Sequence, residues 1–75
     1  MKELKIKLTN VQDLRNFVNE VILVEYDVDL VQGRYVIDAK SIMGIFSLDL
    51  LSPINLVAHT ENADKLFANI AKFVV

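Results

Sequence analysis

The middle of the chain contains the stretch IDAKSIMGIFSL, which runs from Ile37 to Leu48. Ser41 belongs to the residue types that cap helix N-termini, and the apolar residues after it predict a short helix. Those residues are too dense for one buried stripe, and Gly44 among them lowers the helix propensity. The stretch therefore predicts the end of a strand followed by a capped, short helix.

The residues before this stretch predict a β-hairpin. The segment from Ile22 to Asp29 alternates between apolar and polar residues, which is typical of a strand, and its polar face carries Glu25, Asp27 and Asp29. Gln32-Gly33 is a turn signal, and the segment from Arg34 to Ile37 predicts a short third strand.

The two ends of the chain predict further elements of both kinds. The segment from Glu3 to Leu8 alternates strictly and predicts a first strand. A helix is predicted over residues 10 to 20. Its apolar stripe has helical spacing and consists of Leu14, Phe17, Val18 and Val21. After Ser52-Pro53, the segment from Ile54 to His59 predicts a fourth strand, and a third helix is predicted from about Asn62.

The resulting order is β-α-β-β-α-β-α, with no repeat and no linker. It predicts a single two-layer α+β domain over residues 1–75, because each strand has one apolar face and the helices can cover it. The mean hydropathy of +0.37 is high for so short a chain. This value indicates either a core rich in Ile, Leu and Val or an apolar surface left for a partner.

Composition excludes several functional classes. Eight Lys and Arg stand against ten Asp and Glu, and this net charge of −2 disfavours nucleic-acid binding, which depends on neutralising phosphates. The absence of Cys excludes a disulfide framework, a thiolate metal site and a Cys nucleophile. No apolar run approaches the ~18 residues of a membrane span, and no signal peptide is recognisable. We therefore expect a cytoplasmic protein that does not bind a membrane and needs no metal or cofactor.

No residue pattern indicates an enzyme. His59 is the only histidine, and its place in the fourth strand predicts an exposed side chain without a catalytic partner. The acidic residues Glu25, Asp27 and Asp29 predict a solvated strand face. Asn10 predicts a helix cap. Ser41 has two interpretations, a helix cap or a phosphorylation site, since a phosphoserine at a helix N-terminus adds negative charge where the dipole favours it.

The stretch from Ile37 to Leu48 resembles the regulatory-serine segment of HPr, the histidine-containing phosphocarrier of the bacterial sugar phosphotransferase system. The predicted element order is similar to that family along the whole chain. The resemblance implies an open-faced β-sandwich with an antiparallel sheet in the order 1-4-2-3 and three helices on one face. It also implies protein partners, namely phosphotransferase-system components, a serine kinase or transcriptional regulators.

The resemblance fails at the phosphate-accepting site. The family's acceptor His, at the start of the first helix, falls on Asn10, and the Arg and Pro of its signature fall on Gln12 and Asp13. An amide cannot form a phosphoimidazole, and Gln12 has no guanidinium to hold a phosphate. These three positions are therefore interpreted as a degenerate acceptor site.

The regulatory part of the family pattern remains. Ser41 matches the serine that a dedicated kinase phosphorylates in some bacteria, and Ile42, Met43 and Phe46 match the helix that docks onto partner proteins. The favoured hypothesis is a non-catalytic regulatory or protein-interaction module, with Ser41 as its candidate switch. The alternatives are an active phosphocarrier and a small structural homo-oligomer, for instance a homodimer.

Overall fold

The computed structural model describes every residue from Met1 to Val75. The order of its elements is the predicted one. The strands are β1 (Lys2–Ile6), β2 (Val28–Gln32), β3 (Tyr35–Asp38) and β4 (Ile54–Ala58). The helices are α1 (Val11–Val21), α2 (Ile42–Ile45) and α3 (Asp64–Asn69), and a 3-10 turn at Ala71–Phe73 follows α3.

The four strands form one antiparallel sheet in the order β1-β4-β2-β3. In the registers, Leu4 lies opposite Leu56, Leu56 opposite Leu30, and Leu30 opposite Ile37, so one apolar row crosses all four strands. The three helices cover this face, and the other face of the sheet is open. The fold class expected from the sequence is therefore confirmed.

The core consists of 18 buried residues, all of them apolar. The stripe of α1 contributes four buried side chains, and strand β4 contributes every second residue, as predicted. Phe17 of α1 and Phe73 pack edge to face with ring centroids 6.1 Å apart. The two ends of the helical layer are thereby joined in one core.

The predicted strand from Ile22 to Asp29 is wrong in its first six residues. Helix α1 runs to Val21, and the chain then unwinds through turns in which Leu23 N–H donates to the Glu20 carbonyl. The strand begins only at Val28, where Ala58 of β4 first lies opposite it. Residues 22–27 have no neighbouring strand, so they do not pair into the sheet although apolar and polar residues alternate there. Glu25 and Asp27 therefore lie in a loop and not on a strand.

The other boundaries shift by a few residues. Strand β1 ends at Ile6 although Leu8 is buried, β3 is Tyr35–Asp38 instead of Arg34–Ile37, and α3 begins at Asp64. The turn at Gly33 is confirmed: its φ of 59° lies in the left-handed region that glycine adopts without strain.

Candidate functional site

Asn10 caps helix α1. Its backbone is extended, and its Oδ1 accepts the N–H of Asp13 at 2.8 Å. The Asp13 carboxylate in turn accepts the Thr9 hydroxyl at 2.7 Å, and the Gln12 amide donates to Asn16 at 3.1 Å. All three residues predicted to form a degenerate acceptor site are therefore engaged within the first turns of α1. None of them offers a nucleophilic imidazole or a cation for a phosphate.

Replacing Asn10 with alanine is expected to lower the free energy of unfolding by about 1 kcal/mol, because an orphan N–H of α1 loses its acceptor. Urea unfolding followed by circular dichroism measures this loss. Asn16→Ala is the matched control, since it removes an amide from the same helix without removing a cap. Equal losses in the two variants would contradict the capping role.

Ser41 caps helix α2, as the sequence predicts. Its Oγ accepts the N–H of Gly44 at 3.1 Å, and its own N–H donates to the Asp38 carbonyl at 3.0 Å. Gly44 leaves little room beside this cap, because an added Cβ would lie 3.3 Å from Ser41 Oγ. The hydroxyl of Ser41 is half-buried at the start of the helix.

The apolar side chains after Ser41 reach the surface. Met43 is 80% exposed, Phe46 49% and Ile42 38%, whereas Ile45 is fully buried in the core. A four-residue helix anchored by Ile45 therefore presents its remaining apolar residues outward. This distribution explains why the run was too dense for a single buried stripe.

A groove of about 270 Å³ joins the start of α1 at Asn10 to this apolar surface. Asn10 and Val11 line one side of it, and Phe46, Leu50 and Leu51 line the other. Val11 and Leu51 are both exposed and were not predicted as site residues. A signal for Leu51 was present, because an apolar pair directly before Ser52-Pro53 belongs to no predicted element.

His59 lies apart from Asn10. It follows β4, where Ala58 pairs with Lys2 at the start of β1, whereas Asn10 comes after the end of β1. On the open face of the sheet, its Nε2 is 2.8 Å from Asp29 Oδ2. His59 and Asp29 line a cavity on this face, and Asp27 and Asp38 complete its lining. Asp38 joins the acidic group because it pairs with Asp29 across the hairpin.

The largest cavity, about 570 Å³, lies where the loop after α1 meets the start of α3. Glu20, Tyr26, Asp64 and Lys65 are among its lining residues. Burial raises the pKa of the Tyr26 phenol, so this group stays neutral to higher pH than a free tyrosine.

No three His, Cys, Asp or Glu side chains are arranged to hold a metal ion. None of the helices is both long enough and apolar enough to cross a membrane.

Three solved structures superpose on nearly the whole chain. HPr-C-His from Thermoanaerobacter tengcongensis has a TM-score of 0.78 and 24% identity, and the match covers 96% of this chain and 89% of that one. The phosphocarrier protein HPr from Bacillus anthracis str. Ames has a TM-score of 0.74 and 22% identity, covering 99% and 96%.

The third structure is Crh of Bacillus subtilis, a catabolite-repression protein described as an intertwined, swapped dimer. It has a TM-score of 0.66 and 28% identity, covering 93% of this chain and 87% of Crh. No protein-family model and no curated protein matches the sequence. The strand order, the three helices on one face and these superpositions show that the chain has the fold of the HPr-like phosphocarrier proteins.

Proposed function

We propose that this chain is an HPr-like protein without phosphocarrier chemistry, related to the sugar phosphotransferase system, that binds partner proteins through Ile42, Met43 and Phe46. The observation that carries the proposal is the exposure of these three apolar side chains beside Ser41. The acceptor position, by contrast, holds an amide committed to a helix cap. The similarity to HPr and Crh structures supports the connection to this system.

An exposed apolar cluster on so small a domain favours protein recognition. Solvation of Met43 and Phe46 leaves their apolar area in water, and a partner that covers them gains about 25 cal/mol per Å². The groove beside Phe46 extends this surface towards Val11 and gives it the concave shape that an anchoring side chain fills.

The regulatory part of the proposal is phosphorylation at Ser41. A phosphoryl group on Ser41 Oγ would add about −1.5 to −2 charge directly beside Ile42 and Met43. The extra charge would change which partner surfaces the cluster binds. An apolar partner would have to desolvate the phosphate, and an acidic partner would be repelled by it. The oxygens of the phosphate could still accept the Gly44 N–H, so helix α2 would remain capped.

Substituting Met43 with aspartate is expected to weaken binding to a purified partner at least about tenfold, which corresponds to about 1.4 kcal/mol. The measurement is a fluorescence titration of the labelled chain with enzyme I and with a transcriptional regulator of the system. Leu23→Asp is the matched control, because Leu23 is a similarly exposed apolar residue (74%) that lies after the C-terminal end of α1, whereas the groove beside Phe46 lies at its N-terminal end. Equal weakening by the two variants, or unchanged affinity in Met43→Asp, would refute the proposed surface.

The same titration tests the switch. A chain phosphorylated by an HPr kinase and ATP is expected to bind at least one of these partners with an affinity changed about tenfold or more. Ser41→Ala, incubated identically, is expected to keep the affinity of the untreated chain. An affinity that phosphorylation leaves unchanged for both partners would contradict regulation at Ser41.

A further inference from the structure

The two edges of the sheet differ in whether they are covered. The end of the outer edge of β1 is covered by the last residues of the chain: Ile6 pairs with Val74, and Lys7 N–H donates to the Phe73 carbonyl at 2.8 Å. The outer edge of β3 has no partner within the chain. Tyr35 and Val36 on that edge are both more than half exposed. Strand β3 is therefore the edge strand with which no other segment of the chain pairs.

The hydrogen-bond pattern shows which backbone groups of β3 are free. Gln32 and Tyr35 close a two-residue turn, so this pair exchanges its bonds across the hairpin, and Leu30 and Ile37 do so next. Ala39 N–H continues the series by donating to the Val28 carbonyl at 2.9 Å. By this alternation, the N–H and C=O of Val36 point away from β2 and towards solvent.

The charges on either side of Val36 are opposite and lack ionic partners. Arg34 precedes it by two residues, is exposed and makes no side-chain hydrogen bond or ion pair. Asp38 follows it by two residues, and only its Oδ1 is engaged, with Lys40 N–H at 2.9 Å. Asp38 also lies directly opposite Asp29, where like charges repel each other. Within one copy, Asp38 therefore has no cationic partner and Arg34 has no anionic partner.

We propose that two copies of this chain pair through β3, antiparallel about a twofold axis at Val36, and join their sheets into one of eight strands. In this register, the two Val36 residues exchange their free backbone bonds, and each Tyr35 lies opposite Ile37 of the second copy. Each Arg34, in the turn directly before β3, then brings its side chain beside Asp38 of the second copy, so symmetry produces two ion pairs. In either register shifted by two residues, one of the two charged residues lies opposite Val36 and the other lies beyond the paired residues, so no ion pair forms.

A second copy fits this edge better than an unrelated strand, because β3 is complementary to itself. A twofold axis perpendicular to the sheet places the open faces of both copies on the same side of the joined sheet. Residues that lie opposite each other must then point to the same face, so their numbers must both be odd or both be even. Tyr35 with Ile37 and Val36 with itself meet this condition, and Arg34 in the turn before β3 has the same parity as Asp38. A partner of another sequence would have to supply both charges in the same spacing.

The test is a charge exchange followed by sedimentation equilibrium over a range of protein concentrations. The native chain is expected to shift from its 8.5 kDa monomer mass towards a dimer as concentration rises. Arg34→Glu places a carboxylate opposite Asp38, and Asp38→Arg places two cations opposite each other, so each variant alone is expected to dimerise at least about tenfold more weakly. An equimolar mixture of the two variants is expected to recover dimers, since each then meets the opposite charge.

A third variant tests the edge independently of charge. Because the Val36 N–H is free, Val36→Pro removes the bond to the second copy and leaves the bonds to β2 in place. It is expected to remain folded by circular dichroism and to sediment as a monomer. It also decides the matter if Asp38→Arg fails to fold after losing its bond to Lys40. A native chain that stays monomeric at millimolar concentration, or dimers that survive in both Arg34→Glu and Val36→Pro, would overturn the proposal.

Discussion

Phe17→Ala is expected to unfold most of the protein at room temperature. The Phe17 side chain is fully buried, and its ring packs at 84° against Phe73. Truncation removes this contact and leaves a cavity, which costs about 3–5 kcal/mol for a buried aromatic residue. A domain of this size has little stability beyond that amount. Urea unfolding followed by circular dichroism measures the effect.

Phe46→Ala is the matched control, because it deletes the same atoms from a half-exposed position. Its expected cost is below about 1 kcal/mol, as for surface substitutions in general. A loss for Phe46→Ala as large as that for Phe17→Ala would mean that α2 belongs to the core and is not free to bind a partner.

The second large effect concerns phosphoryl transfer. Asn10→His is expected to accept no phosphate from enzyme I and phosphoenolpyruvate, although it supplies the imidazole. Gln12 would still offer no guanidinium, and the Asp13 carboxylate in the same helical turn would repel an incoming phosphoryl group. The measurement is the intact mass of the variant after incubation, with native HPr as the positive control.

A triple variant gives this prediction a positive counterpart. Combining Asn10→His with Gln12→Arg and Asp13→Pro restores the family signature within the first turn of α1, where a proline is tolerated. This variant is expected to accept phosphate where the single variant does not. Efficient phosphorylation of Asn10→His alone would show that the departures at Gln12 and Asp13 do not matter.

Much of the fold was predictable because local signals and tertiary contacts agree. The stripe of α1 and the inward residues of β4 are buried as predicted, and the turn at Gly33 and the cap at Ser41 lie where their residue types indicated. The start of β2 was not predictable. Alternation from Ile22 onward looks the same whether or not a neighbouring strand exists, and the position of β4 decides that question.

The candidate site was predictable only where it is local. The caps at Asn10 and Ser41 depend on residues three positions away, and both were identified. The groove that joins Val11 to Leu51 depends on segments distant in sequence. The approach of Asp38 to Asp29 depends on the register of the β2–β3 hairpin. Only the sheet register and the packing of α2 beside α1 bring these residues together.

The most direct test of the account is the intact mass of the native chain after two separate incubations. One contains enzyme I and phosphoenolpyruvate, and the other contains HPr kinase and ATP. We expect no phosphate from the first and a phosphate from the second that maps to Ser41 and is absent in Ser41→Ala. Phosphate from neither would remove the switch and leave a docking module. Phosphate from enzyme I, on His59 or any other residue, would contradict the central claim that this chain has no phosphocarrier chemistry.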